Sequence, residues 1–135
     1  MCVCFVFSQG AIMSTLITNN PLAVSRYRHD ISVDYAEEPL LSLLIRVRDL
    51  VHSGCRLLTH PLSGSVKPNE SPYKSVLISE EGGGTDPQSV NIIEECITAV
   101  RKFPAIAVPE LCLPDLQEVD LSLVKAALEH EKRGI

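Results

Sequence analysis

Residues 60–74 read HPLSGSVKPNESPYK and hold most of the side chains that could do chemistry. His60 is a candidate acid or base. Ser63 and Ser65 are candidate nucleophiles, and the Ser63-Gly64-Ser65 backbone can turn several N–H groups toward one point. Converging amides beside a lysine suit a phosphate or a carboxylate, and Lys67 and Lys74 supply the charge. Asn69, Glu70 and Tyr73 add further polar groups. Two chemistries are possible. One is the binding of a small anion. The other is nucleophilic catalysis by Ser63 or Ser65 with His60 as base, although no third residue is placed to orient the histidine. A third reading is structural: the polar groups cap one another and form a surface for a protein partner. No catalytic role is assigned to any residue.

Pro61, Pro68 and Pro72 fix three backbone angles in this segment and bias the residues before them toward extended forms. The segment is therefore expected to hold one shape and to lose less entropy on ordering than a glycine-serine linker would. Weaker candidates lie elsewhere. Asn19 and Asn20 come directly after the first expected strand, at the sheet end where α/β proteins gather their sites. The plainer reading of them is a turn and a helix cap. His52, Cys55 and His60 are metal-ligand types, but they fall at a helix end and at opposite ends of a strand. Cys2 and Cys4 make only half of a thiolate site. No metal site is expected. No cofactor motif is present either: nothing matches a P-loop, and Gly82-Gly83-Gly84 lacks the spacing of a dinucleotide fingerprint.

The elements that must position these residues are set by the apolar pattern. The chain has 135 residues, 45% hydrophobic, with no tryptophan and 4% aromatics, so one aliphatic core is expected. The net charge of −5, with basic residues scattered, argues against a nucleic-acid surface. Five cysteines without repeated spacing fit reduced thiols and a cytoplasmic setting. Residues 1–12 hold an apolar run too short to span a membrane and lack the basic start of a signal peptide. They are expected to be a disordered extension or an artefact of the assigned translation start, ahead of Met13, with 13–135 as a single α/β domain. The alternative is an extra edge strand at 3–7.

Strands are expected at 15–18, 31–35, 55–59 and 75–79. Helices are expected at 21–28, 39–52 and 86–103, and a last one at 121–133 capped by Asp120. Proline at 104, 109 and 114 implies extended, irregular chain between the last two helices. Strands alternating with helices predict a small three-layer α/β sandwich: an approximately four-stranded, mostly parallel (mixed) sheet with helices on both faces. The strands flanking 60–74 have no helix between them. They are either antiparallel neighbours or joined by a loop climbing over the sheet edge.

ITNNP at 17–21, IRVRD at 45–49 and LTHPLSGSVKPNESPYKS at 58–75 together resemble the GrdX family. The likeness covers roughly 14–103 and is most specific in the 59–75 run. GrdX proteins are encoded beside the selenium-dependent glycine, sarcosine and betaine reductases of anaerobic amino-acid-fermenting bacteria. They are not among the recognised catalytic components. The resemblance therefore implies a cytoplasmic, non-catalytic accessory or regulatory role, with a reductase component as partner and no catalytic residues to carry over. Combined with the residues themselves, it leads to a protein acting through 60–74 on a protein partner or small anion. The alternative is a small enzyme or sensor of a phosphorylated or carboxylated metabolite. A homodimer through the apolar face of the last helix is a further reading. No nucleic acid or membrane is implied.

Overall fold

The structure is a computed structural model that describes residues 14–62, 70–80, 84–103 and 107–133. Residues 1–12, where the sequence predicts an extension or an extra strand, lie outside these. Four strands, β1 (Ser14–Thr18), β2 (Ser32–Tyr35), β3 (Arg56–Leu57) and β4 (Ser75–Ser79), form one sheet in the order β2-β1-β4-β3. The helices are α1 (Pro21–Tyr27), α2 (Leu40–His52), α3 (Pro87–Lys102) and α4 (Leu113–Arg133), the last preceded by a 3₁₀ turn at Glu110–Cys112.

The sheet is mixed and four-stranded, as expected, with one parallel pair and two antiparallel ones. β1 and β2 are parallel, joined through α1 as a parallel pair requires. β4 runs antiparallel to both β1 and β3. The strands flanking 60–74 are thus antiparallel neighbours. β3 is shorter than expected because its ladder is interrupted by a side chain. Leu58 N–H still donates to Leu77 O at 2.8 Å, but Leu77 N–H is taken by the Thr59 hydroxyl at 3.0 Å.

Alternation along the two central strands divides the core. Ile17, Val76 and Ile78 face α2 and α3, where Leu43, Leu44, Val47, Val51, Ile93, Cys96 and Ile97 are buried against them. Leu16 and Leu77, paired across β1 and β4, face α1 and α4, meeting Ala23, Tyr27 and Val124. Helices therefore cover both faces, which is compatible with three layers. Each fully buried leucine contributes about 1.5–3 kcal/mol. The larger cluster lies on the α2–α3 side. The α4 side is thinner, and this thinness leaves room for a cavity between sheet and helix.

Local chemistry sets the helix ends. Asn20 and Asp86 cap α1 and α3, each with proline at the first helical position. Ser89 donates to Asp86 Oδ2 at 2.7 Å and accepts from Leu57 N–H at 3.0 Å, so the start of α3 also anchors the edge strand. Arg46 bridges Asp34 at 2.8 Å and Glu38 at 2.6 Å, tying β2 and the chain after it to α2. Gly54 ends α2 with φ at 119°, a left-handed conformation that costs a side-chain-bearing residue about 1–2 kcal/mol. Gly54→Ala is expected to lose about that much stability in a urea titration, with the slope of the transition unchanged.

One helix differs from expectation. α4 begins at Leu113 rather than after Asp120. Pro114 does not break it, because a proline in the first turn gives up only an N–H that has no intrahelical partner. Asp120 is consequently an interior residue of α4 and not its cap.

Candidate functional site

β1 and β4 are antiparallel, so the C-terminal end of β1 lies beside the N-terminal end of β4, with Thr18 opposite Ser75. Asn19 and Asn20 extend from the first, and Lys74 precedes the second. α4 crosses this corner and brings Gln117 and Asp120.

Asn19 works as a clamp. Its Oδ1 accepts from Lys74 N–H at 2.8 Å, and its Nδ2 donates to Glu38 O at 2.9 Å and Pro72 O at 2.8 Å. Its own N–H donates to Lys74 O at 3.3 Å. One carboxamide thus fixes the end of the 60–74 segment to the corner of the sheet.

Asn20 closes a ring. Its N–H donates to Thr18 Oγ1 at 2.9 Å, and Thr18 and Ser75 hydroxyls lie 2.7 Å apart. Ser75 donates to Asp120 Oδ2 at 2.6 Å, and Asn20 Nδ2 returns to the same oxygen at 3.0 Å. A carboxylate only accepts, so Ser75's proton is committed to Asp120 and Thr18 donates to Ser75. Asn20 Nδ2 also reaches Gln117 O at 3.0 Å, while Asn20 Oδ1 caps α1 through Leu22 N–H. Gln117 Nε2 donates to the Tyr73 hydroxyl at 3.0 Å.

Beside this ring lies a cavity of about 440 Å³, a volume suited to a small metabolite. Lys74, Ser75, Thr59, His60, Asp120 and His130 supply its polar lining, and Leu16, Leu77, Val124 and Leu128 are prominent in its aliphatic wall. Two of the polar residues are unusual for a protein interior. Lys74 is only 7% exposed as a residue, but its ammonium is not among the buried side-chain atoms without a partner, of which Ser79 Oγ is the one found among the described residues. Burial pulls its pKa below the ordinary lysine value, with Asp120 and then Cys96 opposing that shift. Asp120, 4% exposed, takes both of its hydrogen bonds on Oδ2, leaving Oδ1 without one among the described residues. Lys74 and Asp120 do not form an ion pair with each other. His60 Nδ1 accepts from Leu62 N–H at 3.1 Å, which places the ring proton of the neutral form on Nε2.

Of the residues singled out in the sequence, His60 and Lys74 line the cavity, while Asn19, Asn20 and Tyr73 hold its frame. Glu70 is exposed and not part of the lining. Ser63, Gly64, Ser65, Lys67 and Asn69 lie outside the described residues. Sequence reasoning missed Thr59, Ser75, Gln117, Asp120 and His130. Asp120 had a signal: with helix from Leu113, it falls on the stripe that also holds Leu116, Val124 and Leu128, where an acidic residue is out of place. Among the described residues no cluster of three or more metal-ligand types is assembled. His52 instead meets Glu94 across α2 and α3 at 3.5 Å. Cys96, buried beneath α3, has its thiol pushed up to about 11, chiefly by desolvation, which makes it a poor nucleophile.

The fold and the corner together define a mixed α/β protein with a ligand-sized cavity between sheet and C-terminal helix. The chain belongs to the GrdX-like protein family, whose model matches residues 15–129. That match runs well past residue 103 and takes in most of α4, including Asp120. No curated protein and no solved structure gives a significant match. Among the described residues no helix is long and apolar enough to cross a membrane.

Proposed function

We propose that this protein is a non-catalytic accessory component of the glycine reductase system that binds a small carboxylated metabolite in the cavity beside Lys74. Family membership supports the setting. A cytoplasmic location and a reductase component as partner belong to the same proposal. The observation that carries the ligand reading is the cavity itself, about 440 Å³ and lined by Lys74, Thr59, His60 and Asp120 beside an aliphatic wall. Lys74 is the lysine of that lining, and a carboxylate is a group that a lysine ammonium binds through charge-assisted hydrogen bonds.

The test is a melting curve with acetate, 4-methylpentanoate, acetyl phosphate and inorganic phosphate. A carboxylate at 100 times its dissociation constant adds about 2.7 kcal/mol of stability, a shift of several degrees, and Lys74→Met abolishes it. If no anion raises the melting temperature, yet a reductase component co-purifies with the protein and is lost when 60–74 is altered, the cavity reading fails. A protein-docking role for the segment then replaces it.

A further inference from the structure

We infer that the ligand carries an extended aliphatic chain of about six to eight carbons, lying between the sheet and α4 with its polar group at the Ser75–Asp120 corner. This rests on the proposed ligand-binding cavity and adds the length and character of the ligand's chain.

The cavity changes character from one end to the other. Asp120 and Ser75, joined by a hydrogen bond of 2.6 Å, mark the polar end. β3 runs antiparallel to β4, with Leu58 N–H donating to Leu77 O. The chain beyond Leu58 therefore passes back toward Ser75 and brings Thr59 and His60, which also line the cavity, to that same end. One turn further along α4 stand Leu123 and Val124, and Val124 packs with Leu16 and Leu77 of the sheet. Ala126, Ala127 and Leu128 continue the lining, and His130 lies exposed at the far rim. Between Asp120 and His130, α4 thus offers the cavity no polar side chain. A ligand with polar groups along its whole length would bury them there without partners, which is unfavourable. A ligand with one polar end and an aliphatic remainder matches both parts.

The apolar part also sets a length. The stretch of α4 from Asp120 to Leu128 is about 12 Å long, from the rise of an α-helix. An extended alkyl chain advances roughly 1.3 Å per carbon, because its single bonds zigzag. Allowing for the thickness of the groups at each end, the space takes about six to eight carbons. Two adjacent alanines, Ala126 and Ala127, leave this part of the helix without bulk, and Ala127 is half-buried. A larger side chain at 127 would fill the far half of the cavity and leave the polar end as it is.

The experiment is calorimetric titration of the full chain with butanoate, hexanoate, octanoate and dodecanoate, each below its aggregation concentration, and with octanol. Binding is expected to be one to one and to tighten about fourfold per added methylene as far as hexanoate or octanoate, with no gain at dodecanoate. Ala127→Phe should weaken octanoate roughly tenfold or more and leave butanoate unchanged. Ala126→Phe provides the second arm if that variant fails to fold. Butanoate binding as tight as octanoate overturns the inference but leaves the carboxylate reading standing. A gain that continues undiminished to dodecanoate shows adsorption on apolar surface without a sized cavity, and also overturns the inference. Octanol binding as tight as octanoate overturns the carboxylate reading and supports the chain. Failure of every probe to bind overturns both.

Discussion

Asn20→Ala is expected to lower the unfolding free energy by about 2–4 kcal/mol, a large fraction of the 5–15 kcal/mol typical of a domain. Asn20 is fully buried, and its side chain serves two parts of the chain at once. It caps α1 through Leu22 N–H, a contribution of about 1 kcal/mol. It also donates to Gln117 O and Asp120 Oδ2. Removing those donors leaves buried acceptors short of partners, at about 1–3 kcal/mol. Asn20→Ser separates the two roles, because serine keeps the cap and drops the donors to α4. Denaturant titration of both variants is the measurement. If the serine variant matches the wild type, the bridge to α4 carries no stability and the ring account is wrong.

Lys74→Met is expected to act in the opposite direction, stabilising the ligand-free protein because burial disfavours the charged form of Lys74, while abolishing anion binding. Methionine fills similar volume without a charge, so the desolvation that burial imposes on the ammonium is removed. The pH dependence has a definite sign. Burial holds the folded-state pKa of Lys74 below the ordinary lysine value, and Asp120 only partly opposes this. Between that lowered value and about 10.4, the unfolded chain keeps a proton the folded chain has released. Stability of the wild type therefore rises with pH across this alkaline window and gains nothing more from Lys74 above it. Below the lowered value both states are protonated, and the folded state bears the whole cost of the buried charge. Lys74→Met should remove the alkaline rise and be more stable at neutral pH. A variant less stable than the wild type at pH 7 would show that the ammonium is already satisfied, and the case for an anion partner would go with it.

The contrast between these two variants marks which parts were legible in the sequence. Local signals were reliable where one residue type decides the outcome. Asn20-Pro21 and Asp86-Pro87 start helices, and Gly54 stops one, for reasons contained in the backbone of those residues. The four strands were readable from short β-branched and leucine runs. Their order was not, since pairing β4 between β1 and β3 depends on contacts far apart in the chain. The error at α4 came from treating Pro114 as a barrier when its place in the first turn makes it harmless. That single misreading hid the site's acidic half, because Asp120 was then assigned to a cap. His60, Lys74, Asn19 and Asn20 were found because they stand out as polar residues in or beside apolar strands. Ser75 and Thr59 did not stand out, since a hydroxyl at a strand end is common, and its partner is visible only in three dimensions. The weight placed on Ser63, Gly64, Ser65, Lys67 and Asn69 falls on residues outside those described.

The bond between Asn20 and Asp120 joins positions 100 residues apart. A ribosome must therefore release α4 from its exit tunnel before the corner of the sheet can close. Until then the nascent chain lacks the α4 side chains, Val124 among them, that pack over Leu16 and Leu77. A polypeptide cut short before α4 would keep Lys74 and Ser75 but lack Gln117 and Asp120, and so could not close the hydrogen-bonded ring.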